Sequence, residues 1–332
     1  MAKNQKFAIQ GLKDPLTKWF KEYLYSFGVL LNLVLLCAVM AIASPRFLTV
    51  DNVMNITAQA AVNSIVSIGM FLAILTSGID LSVGSVLALS TMGMGVFTVR
   101  WGVDPLLSLF LCLAIGMGLG LLNGLMLTKM RLPHPFISTM GMRQMARGLS
   151  LAVTATAPVY GFKPAINFLG SRSLGVVPVS VVLVAVLYIF MYIFLTRTTT
   201  GRYIYAVGGN KEASRLSGIN VNGILNLVYM ISGFMAALAG IVLVGRVDTA
   251  YPLAGIDYET DAVAAVIIGG ASFFGGIGKI GNTIVGVLLI AVLRNGFNLL
   301  RVDSAYQTFA IGAVIVIAVF LDVLRKKAVK AA

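Results

Sequence analysis

The sequence predicts an all-α polytopic membrane protein of about ten transmembrane helices, and three observations carry that expectation. The 332 residues are 58% hydrophobic and only 11% charged, which leaves too little polar surface for a water-facing fold of this size. Apolar stretches of close to 20 residues, about the length that crosses a bilayer, recur between short polar breaks. Lys and Arg are divided unequally between alternate connectors, as expected when the cationic connectors stay on the cytoplasmic side.

Taken in order, the stretches lie at 24–43, 53–75, 83–99, 105–128, 136–156, 176–195, 222–244, 261–276, 281–299 and 306–324. The first follows a Lys-rich start and ends at Ala41 and Ala43, which imitates a cleavable secretory signal. It is too long for one, because a signal's apolar region spans roughly 7–15 residues, so a retained span is expected. With the amino terminus inside, the inside segments carry sixteen Lys and Arg residues and the outside segments six: Arg46, Arg100, Lys163, Arg172, Arg246 and Arg301. Both termini are then cytoplasmic, which an even number of spans requires. The division is residues 1–23 as a cytoplasmic segment, 24–324 as the membrane domain and 325–332 as a basic cytoplasmic tail. The eighth stretch is short and Gly-rich. The pairs Asn123-Gly124 in the fourth stretch and Asn295-Gly296 in the ninth hint that spans two to five are repeated, inverted, as spans seven to ten.

Charge and cysteine usage narrow the function. The net charge of +13 forms no basic patch interleaved with aromatics, so it concerns topology and nucleic acid is not an expected partner. Cys37 and Cys112 lie far apart in apolar stretches, where a thiol behaves as a small hydrophobe. A lone His134 builds no metal site, and no cofactor is expected in this chain. One histidine and no carboxylate pair within the spans argue against a membrane enzyme. Few ionisable groups inside the spans argue against an ion-coupled carrier, which needs them to hold the coupling ion. Arg143 and Arg147, one helical turn apart, and Arg294 are the arginines that fall within spans.

Three irregular segments stand out. Thr76 to Gly84 joins two apolar stretches with Ser77, Gly78, Asp80 and Ser82. Such a segment persists in hydrocarbon only where protein or a water-lined cavity covers it. It reads either as a broken helix lining a path or as a tight turn at the membrane edge with Asp80 as an N-cap. The inside segment from Arg197 to Val221 reads as short helices: Asn210 stands where an N-cap would be, Glu212 near the positive helix end, and Gly218 where a left-handed residue would close it. Ala213, Leu216 and Ile219 recur at helical spacing, giving either a small apolar face for a partner or a solvated loop. Gly269 to Gly281 holds a formal G-x-G-x-x-G, but no strand precedes it, and no phosphate-binding G-x-x-x-x-G-K-[ST] occurs anywhere. Gly116, Gly120 and Gly124, at four-residue spacing, allow close helix contact. Asp257, Glu259 and Asp261 cluster at the outside mouth of the eighth stretch, to cap it or to receive a donor protein.

These residues resemble the permease subunits of ribose-type bacterial ABC sugar importers. The likeness runs through Ser44 to Thr49, Thr76 to Gly84, Leu122 to Gly124, Pro135 to Ile137, Ala206 to Ile219 and Glu259 to Gly270. It implies about ten helices in the bacterial inner membrane and a second permease copy, with a cytoplasmic ATP-binding subunit that hydrolyses ATP outside this chain. It also implies a periplasmic sugar-binding protein that delivers a monosaccharide. By the same resemblance the stretch from Asn210 to Gly218, with Glu212, Ala213, Arg215 and Leu216, supplies the helix that docks into the ATPase. Ser77, Gly78, Asp80, Ser82, Gly84, Asn123 and Asn295 are the candidates for the translocation path. His134, between Pro133 and Pro135, departs from the family pattern, and no residue excludes a non-sugar ligand such as an autoinducer or nucleoside.

Overall fold

A computed structural model describes residues 29–331. The segment 1–23, the start of the first stretch at 24–28 and residue 332 lie outside the described residues. Thirteen helices are described: α1 (Val29–Ala43), α2 (Val50–Leu75), α3 (Val83–Gly95, continued by a π turn over Val96–Arg100), α4 (Pro105–Thr128), α5 (Pro135–Ala152), α6 (Pro164–Ser171), α7 (Val179–Arg197), α8 (Thr199–Gly209), α9 (Lys211–Leu216), α10 (Val221–Val247), α11 (Tyr258–Ile268), α12 (Ile280–Leu299) and α13 (Ser304–Ala331). Two antiparallel ribbons of two-residue strands pair β1 (Val159–Tyr160) with β4 (Thr249–Ala250) and β2 (Ser173–Leu174) with β3 (Val177–Pro178).

The chain is an all-α multi-pass membrane protein. Among the described residues six helices are long and apolar enough to cross a membrane: α2, α3 with its π turn, α4, α7, α10 and α12. The other four expected stretches differ for separate reasons. The described part of the first, α1, has 15 residues, and the last lies in α13, of which Ser304–Phe320 forms a shorter apolar helix. The fifth is interrupted by Arg143, Gln144 and Arg147, and α5 ends at Ala152 rather than 156. The eighth, expected over 261–276, is corrected by the structure: helix covers only Tyr258–Ile268, because Gly269, Gly270, Gly275 and Gly276 leave the ladder for a looped backbone. Three of those glycines take left-handed angles.

Burial sorts the helices by neighbour. Most of α2, α3 and α10 is inside the protein, whereas only a minor part of α4 and α7 is buried. Apolar residues on those outer faces, such as Phe110, Leu122, Ile189 and Phe190, suit lipid contact. In the centre, Phe71, Met70 and Leu87 pack with Tyr229, Val228 and Ala239. Helix α2 runs antiparallel to α10, since Asn55 meets Arg246 (2.7 Å) and Gly69 meets Ser232. Helix α3 runs parallel to α10, because the chain enters it beside Ser232 and Leu87 and Thr91 then reach Gly240. The chain therefore reverses at 76–82, and the image of one broken helix gives way to a buried turn between two opposed helices.

Close approach of α4 to α10 rests on small residues. Gly120 lies against the Tyr229 carbonyl and Gly233, and Gly116 against Gly233 and Ala237. Any side chain at Gly120 would meet the backbone of α10, and helices held by packing rather than by water exclusion tolerate such a change poorly. Gly120→Leu is expected to cost about 1–3 kcal/mol or more through overpacking. The check is the thermal midpoint of the detergent-purified protein, and an unchanged midpoint would contradict this packing.

Candidate functional site

The turn Thr76 to Ser82 is built around one carboxylate. Asp80 is 1% exposed. Its Oδ1 accepts from the Ser82 amide (3.0 Å) and the Ser82 hydroxyl (2.6 Å), and its Oδ2 accepts from the Ser232 hydroxyl of α10 (2.7 Å). Asn123 of α4 donates from Nδ2 to Ser82 Oγ (2.8 Å). Three donors to one carboxylate replace the solvent it has lost. Ser82 is the N-cap residue of α3 and makes no side-chain cap bond, so Asp80 joins three helices rather than closing one. The Tyr229 hydroxyl faces Gly78 and, like Asn123 Oδ1, has no protein hydrogen-bond partner. Gly84, at the second position of α3, lies against Gly255 and the Glu259 carboxylate, which brings the first turns of α3 and α11 together.

The structure thus gathers Gly78, Asp80, Ser82 and Asn123 around one spot, with Ser77 and Gly84 at its two ends. Asn295 stands elsewhere. It is 6% exposed and exchanges amide hydrogen bonds with Asn52 of α2, at 2.8 and 3.1 Å. The three acidic residues expected at the outside mouth also separate. Glu259 and Asp261 are each 3% exposed. Glu259 pairs with Arg143 Nη2 of α5 (3.0 Å), and Asp261 takes a two-pronged contact from Arg294 of α12 (2.7 and 2.8 Å). Asp257 alone is exposed, with left-handed φ of 68° and no side-chain cap bond. Arg147 Nη1 donates to the carbonyls of Pro252 (2.6 Å) and Ala254 (2.9 Å), strapping the connection before α11 to α5.

Sequence reasoning missed Ser232, Asn52 and the pairing of the arginines. A signal for the last was present. Charges within apolar stretches face the bundle interior and find partners, and Arg143, Arg147 and Arg294 were the cations to be matched against the acidic residues before and within α11. His134 turns out to cap α5, its Nδ1 accepting from the Phe136 amide at 3.1 Å.

On the inside segment, α8 and α9 meet at a single residue. Asn210 ends α8 and caps α9, accepting from the Ala213 amide at 2.9 Å. Glu212 and Arg215, both exposed, form an ion pair at 2.6 Å. The Arg215 hydrogen bonds hold the Glu212 carboxyl below its ordinary range. Gly218, with φ of 82°, closes the helix, and the amides of Gly218 and Ile219 reach back to Arg215 and Ser214. Leu216 remains 74% exposed, a large apolar side chain beside a rigid capped turn.

With this geometry in view, the comparisons define the class. Residues 52–319 match the family described as "Branched-chain amino acid transport system / permease component", and the chain belongs to that family, within its ribose-type ABC permeases. It is a transport component and not an enzyme. It is 43% identical over 307 residues to the ribose import permease protein RbsC of Escherichia coli (strain K12), covering 91% of this chain and 95% of that one. The D-allose transport system permease protein AlsC of the same organism is 40% identical, covering 91% of this chain and 92% of its own length. The galactose/methyl galactoside import permease protein MglC of that strain is 32% identical, covering 93% and 97%. No solved structure matches the chain significantly.

The Arg294–Asp261 contact generates a stability test. Arg294→Met leaves a buried carboxylate unpaired, at a cost below the ~3–5 kcal/mol of a fully buried pair, because the arginine side chain is 28% exposed. Arg294→Met with Asp261→Leu removes both charges and is expected to recover most of the melting temperature lost in the single variant. A double variant no more stable than Arg294→Met would refute the pairing.

Proposed function

We propose that this chain is the membrane-spanning permease of an ATP-driven importer that translocates a monosaccharide. The observation that carries this is the 43% identity to a ribose import permease along 95% of that protein's length, with allose and galactose permeases aligned over 92% and 97% of theirs. The family description names branched-chain amino acids, and the full-length likeness to several sugar permeases favours sugar over that ligand. In this reading the partners are a cytoplasmic ATP-binding subunit, a periplasmic sugar-binding protein and a second permease copy in the bacterial inner membrane.

The finer architecture belongs to the same proposal: ten crossings between residues 24 and 324, both termini cytoplasmic, and the segment 197–221 inside. The Lys and Arg imbalance supports the orientation. An inverted repeat draws support from matched packing. Helix α4 packs along α10 as α12 packs along α2, α3 along α10 as α11 along α2, and α5 on α3 as α13 on α11. In this scheme the Asp80 turn lies on the path, α9 docks into the ATPase through Leu216 and the Glu212–Arg215 pair, and Asp257 marks the outside mouth.

Two measurements test these roles. Vesicles holding the permease and its ATPase, supplied with the binding protein, are expected to accumulate labelled ribose or allose when ATP is present, with or without an ion gradient. Uptake that follows the gradient and ignores ATP would overturn the function. Leu216→Asp places a charge in an apolar contact and is expected to reduce co-purification of the ATPase about tenfold or more, while the permease still inserts. Undiminished co-purification would overturn the docking role of α9.

A further inference from the structure

We infer that Gly208, Ser77 and the Gly275–Gly276 turn form a transmission joint that carries motion of the α8–α9 segment into the buried Asp80 turn. The inference rests on the reading of α9 as the ATPase contact and adds the route by which that contact reaches the membrane-embedded helices.

Three pieces of chain that are distant in sequence close on one another here. The Gly276 amide donates to the Leu75 carbonyl at the end of α2 (2.8 Å). Ser77 Oγ lies 3.0 Å from the Gly208 carbonyl of α8 and 2.8 Å from the Phe274 carbonyl, so its hydroxyl is shared between the two neighbours. One turn earlier in α8, Tyr205 donates its hydroxyl to the Gly278 carbonyl (2.9 Å). Gly208 lies so close to the Leu75 carbonyl that a Cβ there would collide with it, and would stand 2.7 Å from the Gly276 amide. Left-handed angles at Ser77 (58°), Gly275 (82°) and Gly276 (72°) let both turns fold tightly enough to meet. For Ser77 that conformation is uncommon, and only the surrounding bonds hold it.

The two ends of this joint lead to the two sites. Two residues beyond Gly208, Asn210 ends one helix and caps the next, so α9 has no slack linker through which a displacement could be lost. Three residues beyond Ser77, Asp80 grips Ser82 and Ser232. A push on α9 is therefore borne by backbone contact at Gly208 and Leu75 before it reaches α2, α3 and α10. Contiguous packed elements can carry coupling of this kind, and a contact with no room for a methyl group transmits displacement rather than absorbing it.

The neighbouring glycine supplies the control. A Cβ at Gly209 meets nothing within 4 Å, so Gly209→Ala differs from Gly208→Ala by one position and by the collision. In vesicles holding the whole transporter, Gly208→Ala is expected to assemble with the ATPase, while sugar moved per ATP hydrolysed falls at least about tenfold. Gly209→Ala is expected to match the unmodified protein. Ser77→Ala removes only the hydroxyl, and Ser77→Gly removes it together with the Cβ that strains the left-handed backbone there; both are expected to lower the same ratio about fivefold, and they decide the matter if Gly208→Ala fails to accumulate. An unchanged sugar-to-ATP ratio in the Ser77 variants would overturn the joint. So would a loss of uptake wholly matched by loss of assembled complex. Failure of the docking reading would show separately, as ATPase co-purification that survives Leu216→Asp.

Discussion

A backbone amide or carbonyl removed from water must find a partner, and that constraint governs this structure more than any side-chain contact. Helices meet it internally. The two interruptions at Thr76–Ser82 and Gly269–Lys279 cannot, and they meet it partly in each other. The Leu75 carbonyl, left over at the end of α2, takes the Gly276 amide, and the Phe274 carbonyl is met by Ser77. Within the glycine segment the Ser272 amide returns to the Ile277 carbonyl (2.9 Å). Each irregular segment is thus a condition for the other, and both depend on α8 packing against them through Gly208.

Charge is handled by the same logic. Among the described residues three carboxylates are buried: Asp80, Glu259 and Asp261. Two are matched by arginines from α5 and α12, the third by two hydroxyls and an amide. The arginine pairs tie α11 on either side, while Arg147 ties the preceding connection to α5. A helix of 11 residues, too short to cross by itself, is held in place by neighbours rather than by its length. The Gly84–Gly255 contact then sets its first turn against that of α3.

How much of this was legible beforehand depends on range. Composition and hydropathy reveal the class and the long helices, because apolar length is a local property, and local chemistry also marks Asn210 and Gly218 as the ends of α9. Hydropathy misjudges the eighth stretch because Gly269–Gly278 counts as apolar while its backbone leaves the helix. Asp80 is visible as an isolated carboxylate, but its partner Ser232 lies 152 positions away and is one serine among many in apolar surroundings. Asn295 looked like the companion of Asn123 because both precede glycine. Their partners differ, Asn52 for one and Ser82 for the other, and no periodicity encodes that choice. Gly208 drew no separate reading, and its tight packing appears only when Leu75 is brought against it.

The disposition of the buried carboxylates also bears on where the energy for transport enters. A carrier driven by protons must release and rebind the proton once per cycle at an ionisable group that can change its partners. Glu259 and Asp261 would have to break arginine contacts to do so, leaving charges uncompensated inside the protein. Asp80 would have to surrender its hydrogen bonds from Ser82 and from Ser232, which together hold the start of α3 to α10. Each of these carboxylates serves better as a rivet than as an exchange site. If none of them exchanges an ion, the work is delivered from outside the bundle, and among the described residues α8–α9 is one exposed element with a direct backbone connection to its interior. The same geometry that withholds the carboxylates from ion coupling would give a partner docked at α9, as proposed above, something stiff to push against.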